Sequence, residues 1–161
     1  MPMTMPLPDP MPAAVFESRL RISVGQPFEQ GVWDAHRHRI VPILGGTMDG
    51  PRLTGDILPG GADWQSVRVT DGVARIDARY TLRTTDGTVI AIHNAGLRRG
   101  PPDVMARLAG GEIVAPDSYY FRTVAQFHVE SGHYQWLTEH IFIGIGRRWP
   151  DAVEIDIYRL T

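Results

Sequence analysis

Cysteine and lysine are both absent from this chain of 161 residues, and each absence excludes a class of chemistry. Without cysteine the protein forms no disulfide and has neither a thiolate nucleophile nor a zinc–thiolate site. Without lysine it has no residue for a Schiff base and none for a phosphate-binding P-loop. All sixteen of its basic side chains are therefore arginines.

Long apolar runs and an excess of charge are missing too. No stretch approaches the roughly 18 apolar residues of a membrane span, and none has the form of a signal peptide. The formal net charge of −2 gives no electrostatic footprint for nucleic acid. We therefore expect a cytoplasmic protein that binds neither membranes nor nucleic acids.

Several catalytic motifs are also lacking. The sequence has no Gly-x-Ser-x-Gly elbow, no phosphate-cradling loop and no dinucleotide fingerprint. Serine hydrolases and enzymes that use ATP or NAD are therefore disfavoured, and we expect no cofactor. His36 and His38 would share one face of an extended segment, as two ligands of one ion do, but no third ligand is identifiable. We therefore predict no metal site.

Most of the chain reads as one folded domain behind an irregular N-terminus. Five prolines fall within residues 1–14, and we predict that this segment is a disordered lead. Hydrophobic residues make up 43% of the chain and charged residues 21%, which is typical of a globular protein. Residues 15–161 are enough for a single domain with its own core.

Alternation of apolar and polar side chains dominates this domain. Residues 73–83 alternate strictly, as a β-strand with one buried face does. Pairs such as Asp71-Gly72, Asp86-Gly87 and Ser131-Gly132 indicate tight turns. Further strands are predicted near 15–24, 39–44, 52–58, 64–70, 88–98, 119–130, 134–146 and 152–160. We predict an all-β protein, an antiparallel barrel of about eight strands with a short helical or loop segment near 100–116; a sandwich is the alternative.

Glycine is concentrated in one stretch. Six glycines lie between Arg39 and Trp64, and the stretch ends on Asp63-Trp64. Such density favours either the wall of a ligand pocket or the corners of a barrel. An aspartate in apolar surroundings would have a raised pKa, which suits a general acid or base. The alternative is an aspartate that caps a turn beside a tryptophan of the core.

Further polar and aromatic side chains are candidates for a ligand site. They are Trp64, Arg79, Asn94, Arg122, Tyr134 and Trp136. The two arginines are candidate anchors for a carboxylate, the asparagine is a candidate donor to an oxyanion, and the aromatic residues are candidate walls. Asn94 shares its strand face with Arg98, but which face of each strand looks into the barrel is open. Aromatic residues at this spacing are often simply core.

Several short segments together carry a resemblance to a known family. They are PILGGT (42–47), GP (50–51), LPGGADW (58–64), ARY (78–80), Asn94, Gly96 and YQWL (134–137). In this order and spacing the chain resembles the DUF3237 family, a domain of unknown function, over roughly residues 14–161. The resemblance implies an antiparallel β-barrel and brings no settled activity or cofactor.

These observations favour a cofactor-independent acid–base enzyme, an isomerase, lyase or cyclase, acting on a small organic molecule in the barrel interior. Asp63 would transfer the proton and Arg79 or Arg122 would orient a carboxylate or enolate, which requires Asp63, Trp64 and Arg79 to converge inside the barrel. The alternatives are a non-catalytic small-ligand-binding barrel and a structural module with a solid interior. A homo-oligomer is compatible with each of them.

Overall fold

The computed structural model describes residues 5–6 and 8–161. This part of the chain forms nine strands, one α-helix and two short 3-10 turns. The strands are β1 (Ala14–Val24), β2 (Phe28–Trp33), β3 (His36–Asp49), β4 (Gly55–Arg68), β5 (Ala74–Thr84), β6 (Val89–Arg99), β7 (Tyr120–His128), β8 (Phe142–Arg148) and β9 (Ala152–Leu160). The helix α1 is Pro102–Ala109, and the 3-10 turns are Pro116–Ser118 and Gln135–Thr138.

Eight of the strands close into an antiparallel barrel. They are hydrogen-bonded in the order β1-β9-β8-β7-β6-β5-β4-β3, and a further pairing of β1 with β3 closes the ring. β2 is a ninth strand that pairs with β3 alone and is exposed along its whole length. The predicted all-β barrel of about eight strands is therefore confirmed, whereas β2 has no counterpart among the predicted strands.

The glycine-rich stretch forms the bend of β3 and β4. The register of β3 shifts between Ile43 and Gly46, and that of β4 shifts between Leu58 and Ala62. Gly46 has φ +150°, and a Cβ at this position would lie 2.1 Å from the carbonyl oxygen of Arg21. Only glycine lets β3 approach β1 this closely. Of the two readings of these glycines, the corner of a barrel therefore applies here.

The alternating pattern of β5 is seen directly in its burial. Its apolar side chains point into the barrel, and its three arginines are exposed on the outer face, where Asp77 and Thr81 are half-buried. The turns at Asp71-Gly72 and Asp86-Gly87 connect β5 to β4 and β6, as predicted. A strand with one apolar face turns that face inward because burial of apolar surface is the main favourable term in folding.

One predicted strand is wrong in its first half. Residues 134–146 were expected to form a single strand, but Gln135–Thr138 is a 3-10 turn and β8 begins only at Phe142. Ser131-Gly132 therefore belongs to a long connection rather than to a tight hairpin turn. Leu137 in this connection is 1% exposed and closes the end of the barrel, so tertiary packing overrides the local strand pattern. The short helical or loop segment predicted near 100–116 contains the helix α1.

The predicted disordered lead, residues 1–14, lies partly outside the described residues. In its described part only Ala14 belongs to a strand. Across residues 5–6 and 8–161, no helix is long and apolar enough to cross a membrane.

The barrel interior is packed unequally. The half away from α1 is filled by large apolar side chains, each at most 1% exposed: Leu20, Met48, Leu53, Leu82, Ile90, Leu137, Phe142 and Ile157. We call this the packed half. The other half, next to α1, holds the buried polar side chains of β3, β4 and β6 and is described below.

Candidate functional site

A cavity of about 430 Å³ occupies the half of the barrel next to α1. This volume lies within the range of roughly 300–1,000 Å³ that is typical of small-molecule sites. Exposed residues surround its opening, among them Gln26, Ala109 and Asp151. The cavity is therefore a chamber with a mouth at the α1 end, and we call it the inner cavity.

One row of inward-facing residues forms the floor of the inner cavity. Neighbouring strands place Val41 opposite Asp63, Asp63 opposite Ala78, and Ala78 opposite Asn94, which in turn faces Ala125. Ala78 stands between the two polar side chains, and its single methyl group leaves space above them. Both Asp63 and Asn94 thus line an open volume rather than a packed interface.

Asp63 is a buried carboxyl group, 8% exposed, with fixed hydrogen-bond partners. Its Oδ1 accepts a hydrogen bond from the backbone N–H of Asp77 at 2.9 Å, and its Oδ2 accepts one from Nε2 of Gln65 at 2.6 Å. Burial raises the pKa of Asp63 and outweighs these hydrogen bonds and the nearby charges of Arg98 and Arg39. A carboxyl group with a raised pKa at a cavity wall is suited to both accept and donate a proton.

Gln65 connects Asp63 to Arg39. Nε of Arg39 donates to Oε1 of Gln65 at 2.9 Å. Because an arginine can only donate, the amide oxygen of Gln65 must face Arg39 and its NH2 group must face Asp63. The orientation of the amide is therefore fixed, and it holds the carboxyl group of Asp63 in one position.

Tyr80 and Asn94 supply polar atoms that are buried without a partner. The Tyr80 hydroxyl and both polar atoms of the Asn94 amide form no hydrogen bond within the described chain. Burial raises the pKa of Tyr80, the nearby amide of Asn94 partly offsets this, and the charge of Asp63 raises the pKa further. Buried polar groups in native proteins are nearly always paired, so a cluster of unpaired ones facing a cavity suggests a place for a ligand.

Three arginines lie toward the mouth of the inner cavity. Arg39 and Arg98 are 8% and 4% exposed, and Arg148 is half-buried. Burial lowers the pKa of all three, and mutual repulsion adds to this for Arg98 and Arg39. The site therefore combines one buried carboxyl group with concentrated positive charge.

The structure brings together only part of the predicted site. Asp63 and Asn94 both line the inner cavity, as the hypothesis requires. Trp64 is 46% exposed and Arg79 is exposed; they lie together in a groove on the outer surface, beside the bend of β4. The expected convergence of Trp64 and Arg79 with Asp63 inside the barrel does not occur. Neighbouring residues of a strand point to opposite sides, so Trp64 must face outward when Asp63 faces inward.

The remaining predicted ligand-binding residues also lie away from the inner cavity. Arg122 is exposed on the outer face of β7, where its guanidinium lies 5.1 Å from the ring of Tyr120. Tyr134 and Trp136 are at the end of the packed half, and the guanidinium of Arg52 stacks on Trp136 at 3.8 Å. None of these side chains lines the inner cavity.

The sequence contains signals for two of the cavity residues that were not predicted, Arg98 and Tyr80. Arg98 lies four positions after Asn94 on the same strand, so period two places both on one face. Tyr80 lies on the apolar face of β5 and its burial agrees with that pattern, although its hydroxyl faces the cavity. Arg148 lies at the end of β8, and nothing in its sequence neighbourhood points to the cavity.

His36 and His38 lie on the hairpin formed by β2 and β3. The ring of His38 stacks on Trp33 with 3.7 Å between centroids, and the two histidine rings are 6.3 Å apart. Among the described residues no group of three or more His, Asp or Glu side chains is arranged to hold a metal ion.

Comparisons with known proteins agree on a family without an assigned activity. The family described as "Protein of unknown function (DUF3237)" matches residues 12–160. A UPF0311 protein from Rhodopseudomonas palustris strain TIE-1 is 42% identical over 122 residues, which are 76% of this chain and 79% of that protein. A crystal structure of a conserved protein of unknown function from Rhodopseudomonas palustris has a TM-score of 0.89 at 34% identity, covering 94% of this chain and 99% of that one.

A more distant structure has the same fold. It is described as an enzyme from Penicillium herquei and matches with a TM-score of 0.73 at 18% identity, covering 98% of this chain and 100% of that one. This likeness shows the fold alone.

Proposed function

The chain belongs to the DUF3237 family, and we propose that it is a cofactor-independent acid–base enzyme acting on a small organic molecule in the inner cavity. One observation carries the proposal: the carboxyl group of Asp63 is buried, has a raised pKa and is fixed by Gln65 and the Asp77 backbone at the wall of a ligand-sized cavity. Structural aspartates usually gain ion-pair partners on burial, whereas Asp63 has none among the described residues.

The proposed chemistry follows from the positions of three side chains. Ionised Asp63 removes a proton from a carbon next to a carbonyl group of the substrate, and the electron pair moves to the carbonyl oxygen. Tyr80 and Asn94 donate hydrogen bonds to the resulting enolate oxygen, since both have free donors that face the cavity.

The second half of the reaction determines its class. Protonated Asp63 returns its proton to a different carbon in an isomerase. In a lyase, the enolate re-forms its carbonyl and expels a leaving group that takes the proton. In a cyclase, the nucleophilic carbon attacks a second carbonyl carbon of the same molecule; the C=O π bond breaks, and its oxygen takes the electron pair and then the proton from Asp63. The description of the Penicillium herquei barrel as an enzyme supports the proposal only in that catalysis is compatible with this fold.

The test compares Asp63→Asn with Asp56→Asn, which alters an exposed aspartate on the outer face of the same strand. Wild-type protein is incubated in deuterium oxide with a panel of small carbonyl compounds, and deuterium uptake or new products are detected by NMR and mass spectrometry. We expect Asp63→Asn to lower turnover of any substrate found by about 10²- to 10⁴-fold, the usual contribution of a general acid or base. Asp56→Asn should match the wild type. Full turnover by folded Asp63→Asn protein would contradict the proposal.

A non-catalytic ligand-binding barrel is the second candidate. It is favoured by the three arginines at the cavity mouth, which can hold an anion without any chemistry. A ligand that binds stoichiometrically and is returned unchanged, without deuterium uptake at any pH, would establish this alternative instead.

A further inference from the structure

Arg98 is a buried cation without a partner. Its side chain is 4% exposed, its Nε has no hydrogen-bond partner within the described chain, and its guanidinium lies 5.5 Å from the ring of Phe121. Burial, and then the charges of Arg148 and Arg39, lower its pKa to about 9, so it still carries its charge at neutral pH. An unpaired buried charge is costly, and its presence calls for an explanation.

Arginines on the outer face of the barrel, unlike Arg98, form ion pairs with carboxylates. Arg19 and Arg147 both bind the carboxylate of Asp156, at 2.7 and 2.8 Å. Arg159 and Arg52 likewise hold Glu17, at 2.8 and 2.6 Å. The fold thus pairs the buried carboxylates Glu17 and Asp156 with two arginines each.

No such pairing exists at the cavity mouth. Within the described chain, none of Arg39, Arg98 and Arg148 forms an ion pair with a carboxylate. Two carboxyl groups line the inner cavity: Asp63, whose hydrogen bonds go to Gln65 and a backbone N–H, and Asp151 at the exposed rim. Positive charge therefore exceeds negative charge around the cavity even when both carboxyl groups are ionised.

The same three arginines also line a second cavity. This outer cavity of about 490 Å³ lies between α1, the end of β4 and the β2–β3 hairpin. Its wall includes apolar side chains, among them Val67, Val69, Met105 and Leu108. The arginines thus lie at the junction of the two cavities, both of which also have apolar walls.

We infer that the inner cavity takes an organic carboxylate, with its carboxylate group against Arg98, Arg39 and Arg148 and an apolar body that extends into the inner cavity toward Ala78. The inference rests on the proposed function, and it specifies the substrate class. A planar carboxylate matches the fork of a guanidinium and binds it through two parallel hydrogen bonds. It also supplies the negative charge that the three arginines lack.

The probes are 3-phenylpropanoate and 3-phenylpropanamide, which have the same shape and differ in charge. Binding is measured by calorimetry and by thermal shift at low chloride concentration, since a bound ligand raises the unfolding temperature. We expect the carboxylate to bind at least about 10-fold more tightly than the amide, as a charge-assisted hydrogen bond is stronger than a neutral one. Equal binding of the two probes, or binding of neither, would overturn the inference.

Arg98→Met and Arg99→Met form a matched pair of variants. The two residues are adjacent on β6, but Arg98 faces the cavity and Arg99 is exposed on the outer face. Arg98→Met should weaken carboxylate binding by about 10- to 100-fold. It should also raise the unfolding temperature of the ligand-free protein, because an unpaired buried charge is replaced by an apolar side chain of similar length. Arg99→Met should leave binding unchanged.

These results separate the two proposals. A structural role of Arg98 predicts that Arg98→Met lowers stability, and unchanged carboxylate binding in that variant would refute the anion site. Asp63→Asn should bind 3-phenylpropanoate as tightly as the wild type or more tightly, since a nearby negative charge is removed.

If Asp63→Asn retains turnover while the carboxylate preference holds, the proposed function fails and the anion site stands. If a neutral substrate is turned over and no carboxylate binds, the anion site fails and the proposed function stands.

Discussion

The two halves of the barrel are built on the same strands and have opposite interiors. The packed half is filled by leucine, isoleucine, methionine and phenylalanine side chains that are almost completely buried. The half next to α1 contains a cavity, a buried aspartate, unpaired polar atoms and three arginines. The packed half therefore supplies the stability of the fold. This allows the half next to α1 to keep polar and charged groups whose burial is unfavourable.

The largest expected effect is a difference between two matched core substitutions. Ile90 is 0% exposed in the packed half, whereas Ile76 is 6% exposed and lines the cavity. Ile90→Ala should cost near the upper end, and Ile76→Ala near the lower end, of the about 2–5 kcal/mol range for such changes. The reason is that the Ile76 side chain already has empty space on one side. Urea denaturation measures both values, and equal losses would show that the two halves are packed alike.

A second pair of variants tests the same difference between the two halves by introducing a larger side chain. Ala78 and Ala125 face inward in the same row, but Ala78 lines the cavity and Ala125 lies within the core. Ala125→Leu should destabilise the protein by about 1–3 kcal/mol through overpacking. Ala78→Leu should cost less than about 1 kcal/mol, since the new side chain enters open space. It should also abolish binding of 3-phenylpropanoate. Loss of stability in Ala78→Leu equal to that in Ala125→Leu would contradict an open cavity.

The smallest expected effect is a pH dependence with opposite signs inside and outside the barrel. The pKa of Asp63 is raised above its ordinary value of 3.8, so the folded state binds more protons than the unfolded state between 3.8 and the raised value. Wild-type stability relative to Asp63→Asn should therefore fall as pH increases through this window and level off above it. Urea titrations between about pH 3.5 and 7 follow the difference.

Asp156 on the outer face is the control for the sign of the pH dependence of stability. Burial opposes its ionisation, but hydrogen bonds from Arg19 and Arg147 outweigh this and lower its pKa. Its stabilising effect is therefore present above pH 3.8 and is lost as pH falls below that value. The stability difference between wild type and Asp156→Asn should accordingly grow with pH below about 3.8 and be flat above it, where that for Asp63→Asn shrinks. Parallel slopes would show that Asp63 is not desolvated.

Much of the fold could be predicted because alternation along a strand is a local property. The strict pattern of residues 73–83 determines both the strand β5 and its inward face. β2 could not be predicted in this way, because all six of its residues are exposed and no burial pattern marks them. The segment 134–141 was predicted wrongly because its aromatic spacing serves to close the barrel end rather than to continue a strand.

The site was only partly predictable, for a different physical reason. Asp63 and Asn94 were identified by residue type, but the assignment of partners required knowing which strand faces meet inside the barrel. Arg79 was chosen for its chemistry although it lies on the polar face of β5, which must face water. Arg98 and Arg148 come from strands distant in sequence, and only the closed sheet brings them together with Arg39.

The seam of the barrel has a consequence for how the molecule forms. β1 is held on one edge by β3 and on the other by β9, the ninth of the nine strands in sequence order. Leu20, for example, lies opposite both Met48 and Ile155. Ring closure therefore joins segments more than a hundred positions apart, which is a slow kind of contact to establish. Until β9 has been made, one edge of β1 has no partner strand, and neither the inner cavity nor the packed half is enclosed.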